Sequence, residues 1–300
     1  MYVIKHVPDD FVVEEVSAVK PKSSGSFSYF RLRKKDISTL DALRSIANSL
    51  HVPLKELACA GNKDKKAVTV QVCSVHKVSR EKLEHLRLEF FGYGDEPVHL
   101  GDLEGNDFKI VVRNIDSLPK ISSRFRNLFG EQRFSTDNVE IGRLIVKRDF
   151  ENAALLVAKT HSCARIDSHF GQRDWIGALR CLPRKLLLLF VHAYQSFLWN
   201  KAAMLSDADV LPIVGFGSEI DEISRKVLAE EGLKPSDFVI RELPELSSEG
   251  SVRAVWAEAK NLKIGSLEAD EFFPGKNKVV LEFFLPKGCY ATEFIRQQFQ

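Results

Sequence analysis

The 300-residue sequence contains no CxxC pair, and its five cysteines, Cys59, Cys73, Cys163, Cys181 and Cys289, are odd in number and widely scattered. That spacing argues against a disulfide framework and against a zinc site, and it fits a reducing, cytoplasmic compartment. No stretch approaches the roughly 18 consecutive apolar residues needed to cross a bilayer; the densest apolar run, residues 186–191, is far shorter. The opening Met1-Tyr-Val-Ile-Lys-His lacks the charged start, apolar stretch and small-residue cleavage site of a signal peptide. Neither secretion nor a membrane is therefore expected. Walker A, HExxH and GxSxG signatures are also missing. Gly215-Phe-Gly-Ser-Glu-Ile lacks the third glycine of a dinucleotide loop and reads as a turn. His161, Cys163 and His169 are near one another without zinc-ligand spacing, and His192 falls in an apolar stretch where a hydrogen-bonded core residue is expected. No metal and no cofactor are expected.

What is present suits a chain with a real core: 44% hydrophobic and 28% charged residues, in a length that allows two domains. The formal net charge of +2 hides an asymmetry. Residues 1–80 hold 14 Lys+Arg against 8 Asp+Glu, whereas residues 201–300 hold 12 against 17. Clustered cations attract phosphate and release its counterions, so the basic front favours an anionic ligand. A solvated basic face is the plainer explanation, and charge alone does not choose between them.

Phe11-Val-Val-Glu-Glu-Val and Phe27-Ser-Tyr-Phe-Arg-Leu-Arg read as strands around a Pro/Gly/Ser turn. Ser38 or Thr39 then caps a helix to about Leu50, with Leu40, Leu43, Ile46, Ala47 and Leu50 at three- and four-residue spacing. Leu57-Ala-Cys-Ala and Ala67–Val75 read as strands flanking a basic turn. Further strands are expected at 86–93 and 107–113, and helices at 120–129, about 139–158 and 183–205. Strand-prone sequence returns at 278–285 and ends near Ile295. Strands at both ends of a helical middle suggest one sheet domain interrupted by an insertion.

The turn Ala60-Gly-Asn-Lys-Asp-Lys-Lys-Ala sets one carboxylate, Asp64, among Lys63, Lys65 and Lys66. Neighbouring cations favour an ionised carboxylate and would draw a phosphate chain toward it. In isolation such a pattern is also an ordinary Asx turn. Phe11, Phe129, Phe134 and Tyr290 sit at strand ends or turns near Lys5, Arg126, Arg133 and Lys287. An aromatic face beside a cation can stack an unpaired base and hold its phosphate, although most of the 21 Phe must simply fill a core.

In combination these segments resemble the TruD family of tRNA pseudouridine synthases over most of the chain. The match comprises Lys5 with Pro8-Asp-Asp-Phe-Val-Val-Glu-Glu, Leu32-Arg-Lys-Lys-Asp-Ile-Ser-Thr with Lys34 and Thr39, and Ala60-Gly-Asn-Lys-Asp-Lys-Lys-Ala-Val-Thr-Val-Gln. It continues through Gly105-Asn-Asp-Phe-Lys-Ile, Asn127-Leu-Phe-Gly-Glu-Gln-Arg-Phe, Ala193-Tyr-Gln-Ser-Phe-Leu-Trp-Asn and Leu285-Pro-Lys-Gly-Cys-Tyr-Ala-Thr. Leu128 and Ser135 depart from the pattern, standing where an aromatic residue and a glycine are expected.

The resemblance implies that Asp64 is the catalytic aspartate and that Phe129 stacks on the target base. It implies that Phe11, Asn127 and Tyr290 contact the target nucleotide, and it places Lys5 and Glu15 on substrate-binding motif positions. The implied fold is α+β: a pseudouridine synthase catalytic domain with a mixed, largely antiparallel sheet (1–150 and 253–300), interrupted by a TruD-specific α/β insertion (151–252). RNA would lie between the two domains. The implied activity is isomerisation of uridine in tRNA, at position 13 of the D-arm, by a monomer with no obligatory protein partner. Because the reaction involves neither redox change nor net hydrolysis, no cofactor is required. Asp64 could attack C1′ or remove the 2′-proton, since a carboxylate can play either part. Two other readings use the same residues. One is a non-catalytic RNA-binding or RNA-chaperone module. The other is a glycoside hydrolase with Asp64 and Glu15 as its carboxylate pair.

Overall fold

The structure, a computed structural model, describes residues 2–134, 137–160 and 166–300. The alternating segments at the start form β1 (Phe11–Ser17) and β2 (Phe27–Lys35). Ser38 caps α1 (Thr39–Leu50), its hydroxyl accepting the Asp41 N–H at 3.1 Å, and the helix stops at His51 in the left-handed region. The helical stripe Ala42, Leu43, Ile46 and Ala47 packs on Phe30, Leu32, Cys73 and Val75. The basic turn joins β3 (Leu57–Cys59) to β4 (Val68–His76), and α2 (Arg80–His85), β5 (Glu89–Gly94) and β6 (Leu103–Ile115) follow.

Two compact units result. One holds residues through Ser123 with Glu258–Ala291 and Ile295–Gln300; the other holds Arg124–Ala257 with Thr292–Phe294. The second contains β7 (Arg124–Arg126), α3 (Asn138–Val146), α4 (Phe150–Thr160), α5 (Ile166–Phe170), α6 (Trp175–Arg180), α7 (Arg184–Leu205), β8 (Val210–Ile213), α8 (Glu222–Glu230), β9 (Ser251–Ala254) and, but for its last residue, β10 (Trp256–Glu258). The chain then returns to the first unit through β11 (Lys260–Ile264), β12 (Glu268–Ala269), β13 (Asn277–Pro286) and most of α9 (Ala291–Phe299).

The fold is α+β, and its sheet runs β11-β13-β6-β1-β4-β2-β5, with β12 beside β13 and β3 beside β4. β1 and β4 are parallel; the β1–β6, β6–β13, β2–β4, β2–β5 and β3–β4 pairs are antiparallel. Register collects Phe11, Val13 and Glu15 of β1 on the same face as Ile110, Phe108 and Asn106 of β6. Parallel pairing ends at Glu14 and Val70, and just beyond it the Glu15 carboxylate accepts the Val72 N–H at 3.2 Å. In the second unit α7 is the central helix, burying Phe190, Tyr194, Leu198 and Trp199. Helix α3 approaches it so closely at Gly142 that an added Cβ would lie 2.0 Å from the Phe190 carbonyl oxygen. Among the described residues, no helix is long and apolar enough to cross a membrane.

Three local expectations are corrected. The helix expected over 120–129 is absent: Arg124–Arg126 is a strand, and its Arg124 and Arg126 guanidiniums lie over the Trp256 ring at 4.3 and 4.5 Å. The single helix over 139–158 is two, α3 and α4, separated at Arg148, whose φ is +66°. The terminal segment running to Ile295 is helical from Ala291. His161, Cys163 and Ser135 lie outside the described residues. His169 Nδ1 is 2.8 Å from Asp174 Oδ2.

Candidate active site

Each end of the turn 60–67 leads into a strand of the sheet, and the turn is braced from several sides. Thr39 Oγ1, at the start of α1, accepts the Lys63 N–H at 3.0 Å. Gln71 of β4 donates its Nε2–H to the Gly61 carbonyl at 3.0 Å. Lys34 of β2 donates to the Asp64 carbonyl at 2.7 Å and to the Lys63 carbonyl at 3.3 Å. The Lys63 ammonium turns inward, 2.6 Å from Glu15 Oε2 and 2.9 Å from Asn106 Oδ1. Burial holds the Lys34 ammonium below the usual lysine range, against the opposing pull of Asp64.

This bracing leaves the Asp64 side chain one-third exposed, with Lys65 and Lys66 exposed beside it. Its counter-ion is Lys5, whose Nζ lies 2.5 Å from Asp64 Oδ2 and 4.1 Å above the centroid of the Phe11 ring. Lys5 adopts φ 57°, a left-handed conformation that is uncommon outside glycine. Flanking anchors impose it. Val3 exchanges both backbone hydrogen bonds with Arg113 of β6, and the Val7 N–H bonds Asp10 Oδ2 at 3.1 Å. Arg113 in turn grips both Asp10 oxygens and reaches Asp270 Oδ1 at 3.0 Å and Glu271 Oε1 at 3.1 Å.

The candidate residues fall in both units. Lys5, Phe11, Glu15, Asp64 and Tyr290 are in the first, and Asn127 and Phe129 are in the second. Within the first unit the structure brings Lys5, Phe11 and Asp64 into direct contact. It buries the Glu15 side chain completely against Lys63, and it places Tyr290, half-buried, just before α9.

Phe129 is held by Asn200 of α7, whose Oδ1 accepts the Phe129 N–H at 2.9 Å and whose Nδ2 donates to the Phe129 carbonyl at 3.0 Å. Its ring meets Trp199 edge-on at 5.6 Å and carries two guanidiniums, Arg253 at 4.1 Å and Arg133 at 5.0 Å from the centroid. Asn127 is buried and knitted to the end of β9. Its N–H donates to the Val255 carbonyl and its Nδ2 to the Ala254 carbonyl, while Arg253 donates to its carbonyl and Oδ1 at 2.9 and 2.7 Å.

The braces were partly visible beforehand, since Lys34, Thr39, Gln71 and Asn200 stand inside the quoted motif segments. Arg253 carried no signal: it lies 126 residues from Asn127, in an unremarked stretch.

The class that fold and site define is an α+β protein with one braced, partly exposed carboxylate among lysines, on a turn of its mixed sheet. The second nearby carboxylate, Glu15, is consumed internally. The family model described as tRNA pseudouridine synthase D (TruD) matches residues 2–169, 164–214 and 208–298. The tRNA pseudouridine synthase D of Aquifex aeolicus is 29% identical over 383 aligned positions, covering 99% of this chain and 97% of that protein. An alignment of that length to 300 residues means that the relative carries segments this chain lacks. A crystal structure of a TruD protein from Methanosarcina mazei superposes with a TM-score of 0.78 at 28% identity, covering 99% of this chain and 93% of that one. The chain belongs to the TruD family of tRNA pseudouridine synthases, a family of isomerases.

Proposed function

We propose that this protein isomerises uridine to pseudouridine in tRNA, at position 13 of the D-arm, with Asp64 as the catalytic carboxylate. The observation that carries the reading is the Asp64 turn: five polar side chains hold its backbone or its neighbouring lysine, and Lys5 pairs with its partly exposed carboxylate. The reaction breaks the N1–C1′ bond, turns the uracil, and joins C1′ to C5, so the carboxylate must meet a ribose whose base has left its stack. Stacking on Phe129 offsets part of the unstacking, at roughly 1–3 kcal/mol per base. Tyr290, half-buried, contributes apolar surface that keeps the freed uracil from escaping, and Phe11, 3% exposed beneath the Lys5 ammonium, joins it once Lys5 turns to the substrate. Lys5, fixed over the Phe11 ring, aims and neutralises Asp64 until the substrate arrives. Glu15 acts through Lys63, keeping the turn in place. The protein works as a cytoplasmic monomer, with residues 151–252 as the family-specific insertion.

Unmodified tRNA transcripts treated with the protein and then mapped by carbodiimide-dependent reverse-transcription stops test this directly. A new stop at position 13 with wild type, and none with Asp64→Asn, is expected. RNA binding without any stop would replace the reading with a non-catalytic RNA-binding module. Deuterium at the ribose C2′ separates the two roles of Asp64: a primary isotope effect on turnover identifies proton removal, and its absence identifies attack at C1′.

A further inference from the structure

The two guanidiniums on the Phe129 ring are held very differently. Arg253 is tied to the carbonyl and side chain of Asn127. Arg133 has no carboxylate within ion-pair distance and no side-chain hydrogen bond among the described residues, and its Nε is buried without a partner. Ring contact does not relieve this, because the Nε–H points along the guanidinium plane whereas the attraction to Phe129 acts across it. A buried N–H left without an acceptor is costly, and such groups are rare in native proteins unless a ligand completes them. His192, which feels the Arg133 charge, offers no counter-charge: burial first, and then the Arg133 cation, lower its pKa.

The missing partner must be an acceptor, anionic to suit a guanidinium, and adjacent to an aromatic ring. A nucleotide has this combination, a flat base with a phosphate a few ångströms from it, and the arginine fork matches phosphate oxygens two at a time. We infer that Arg133 is an RNA-phosphate ligand, binding the backbone beside the nucleotide that stacks on Phe129, while Arg253 is a fixed support for the ring. The inference rests on the proposed stacking role of Phe129. Phe129 is only 7% exposed, so a base reaching its ring must displace a neighbour. Arg133, tethered only by ring contact, is the neighbour able to move, and moving onto the phosphate gives its Nε–H an acceptor.

The test is the salt dependence of tRNA binding by wild type, Arg133→Gln, Arg133→Lys and Arg253→Gln. Each phosphate neutralised contributes a slope of about 0.7–0.9 in log K against log salt, so Arg133→Gln should lose about that much. Arg133→Lys should recover it, because an ammonium binds phosphate as a point charge, and Arg253→Gln should keep the wild-type slope. Transcripts carrying a single neutral methylphosphonate on the 5′ or the 3′ side of the target uridine locate the contact: one should weaken wild type and leave Arg133→Gln unchanged. A wild-type slope in Arg133→Gln, or equal losses for both proteins with both modified transcripts, overturns the inference. The same samples mapped for pseudouridine separate this from the parent reading. Wild type that modifies tRNA while the slope is insensitive to Arg133 sinks the phosphate contact alone, whereas wild type that modifies nothing sinks the parent reading whatever the slope.

Discussion

Lys5 spends conformational energy to be where it is. A left-handed backbone at a residue with a Cβ costs on the order of 1–3 kcal/mol, and the strand bridge at Val3 and the Asp10-bound amide of Val7 hold it there. What this secures is an ammonium 2.5 Å from the Asp64 carboxylate. Both side chains remain partly exposed, so the pair itself adds little stability, about 0–1 kcal/mol. Lys5→Met should therefore leave thermal unfolding nearly unchanged while lowering turnover about 10²-fold, the scale of losing one charge aimed at a reacting centre. A rate measured beside a melting curve checks this. Parallel losses in both would mean that Lys5 serves folding instead.

At the scale of elements, the Asp64 turn is governed by residues outside it, on α1, β1, β2, β4 and β6. Thr39→Val keeps the shape of the side chain but removes the hydroxyl that accepts the Lys63 N–H. It should cost about 1–3 kcal/mol in chemical denaturation and speed hydrogen exchange at the Lys63 amide, with turnover falling in step. Much of this frame was readable in the sequence, because β1, β2, α1 and β4 announce themselves by period and by the Ser38 cap. The errors have physical causes. Residues 120–129 have helical spacing, but Arg124 and Arg126 gain more by lying on Trp256, and Asn127 by joining β9, than an isolated turn of helix would provide. The break at Arg148 depends on a left-handed residue with no glycine to mark it. The site was readable as a set of residue types. Its pairings were not, because Lys5 with Asp64 and Arg253 with Asn127 are contacts that only the folded chain creates.

For the molecule as a whole, the buried Arg113 cluster decides how it meets acid. Contacts with Arg113 first, and then with Lys278, lower the Glu271 carboxyl to about 2. Burial pushes Asp270 upward, but the Phe272 and Asn114 amides and Arg113 pull it below its ordinary value. Both carboxyls thus bind protons less readily folded than unfolded, so their contribution is complete above about pH 4.5 and is lost as the pH falls toward about 2. Denaturation midpoints measured across that window should fall steadily. Arg113→Met should flatten the slope and cost about 3–5 kcal/mol at neutral pH, since it strands buried Asp10 and Asp270. The two compact units follow contacts, whereas a family domain follows descent, and their boundaries need not coincide.

The place of β6 in the sheet has a consequence for synthesis. One flank is filled at once by β1, but the other belongs to β13, and Asn277 meets Asp116 across 161 residues of chain. At about 5–20 residues per second, a ribosome leaves that flank open for roughly 8–30 seconds after β6 has emerged. During this interval the nascent chain presents unpaired backbone beside Phe108, Ile110 and Val112, a surface that a chaperone would shield and a neighbouring nascent chain could capture.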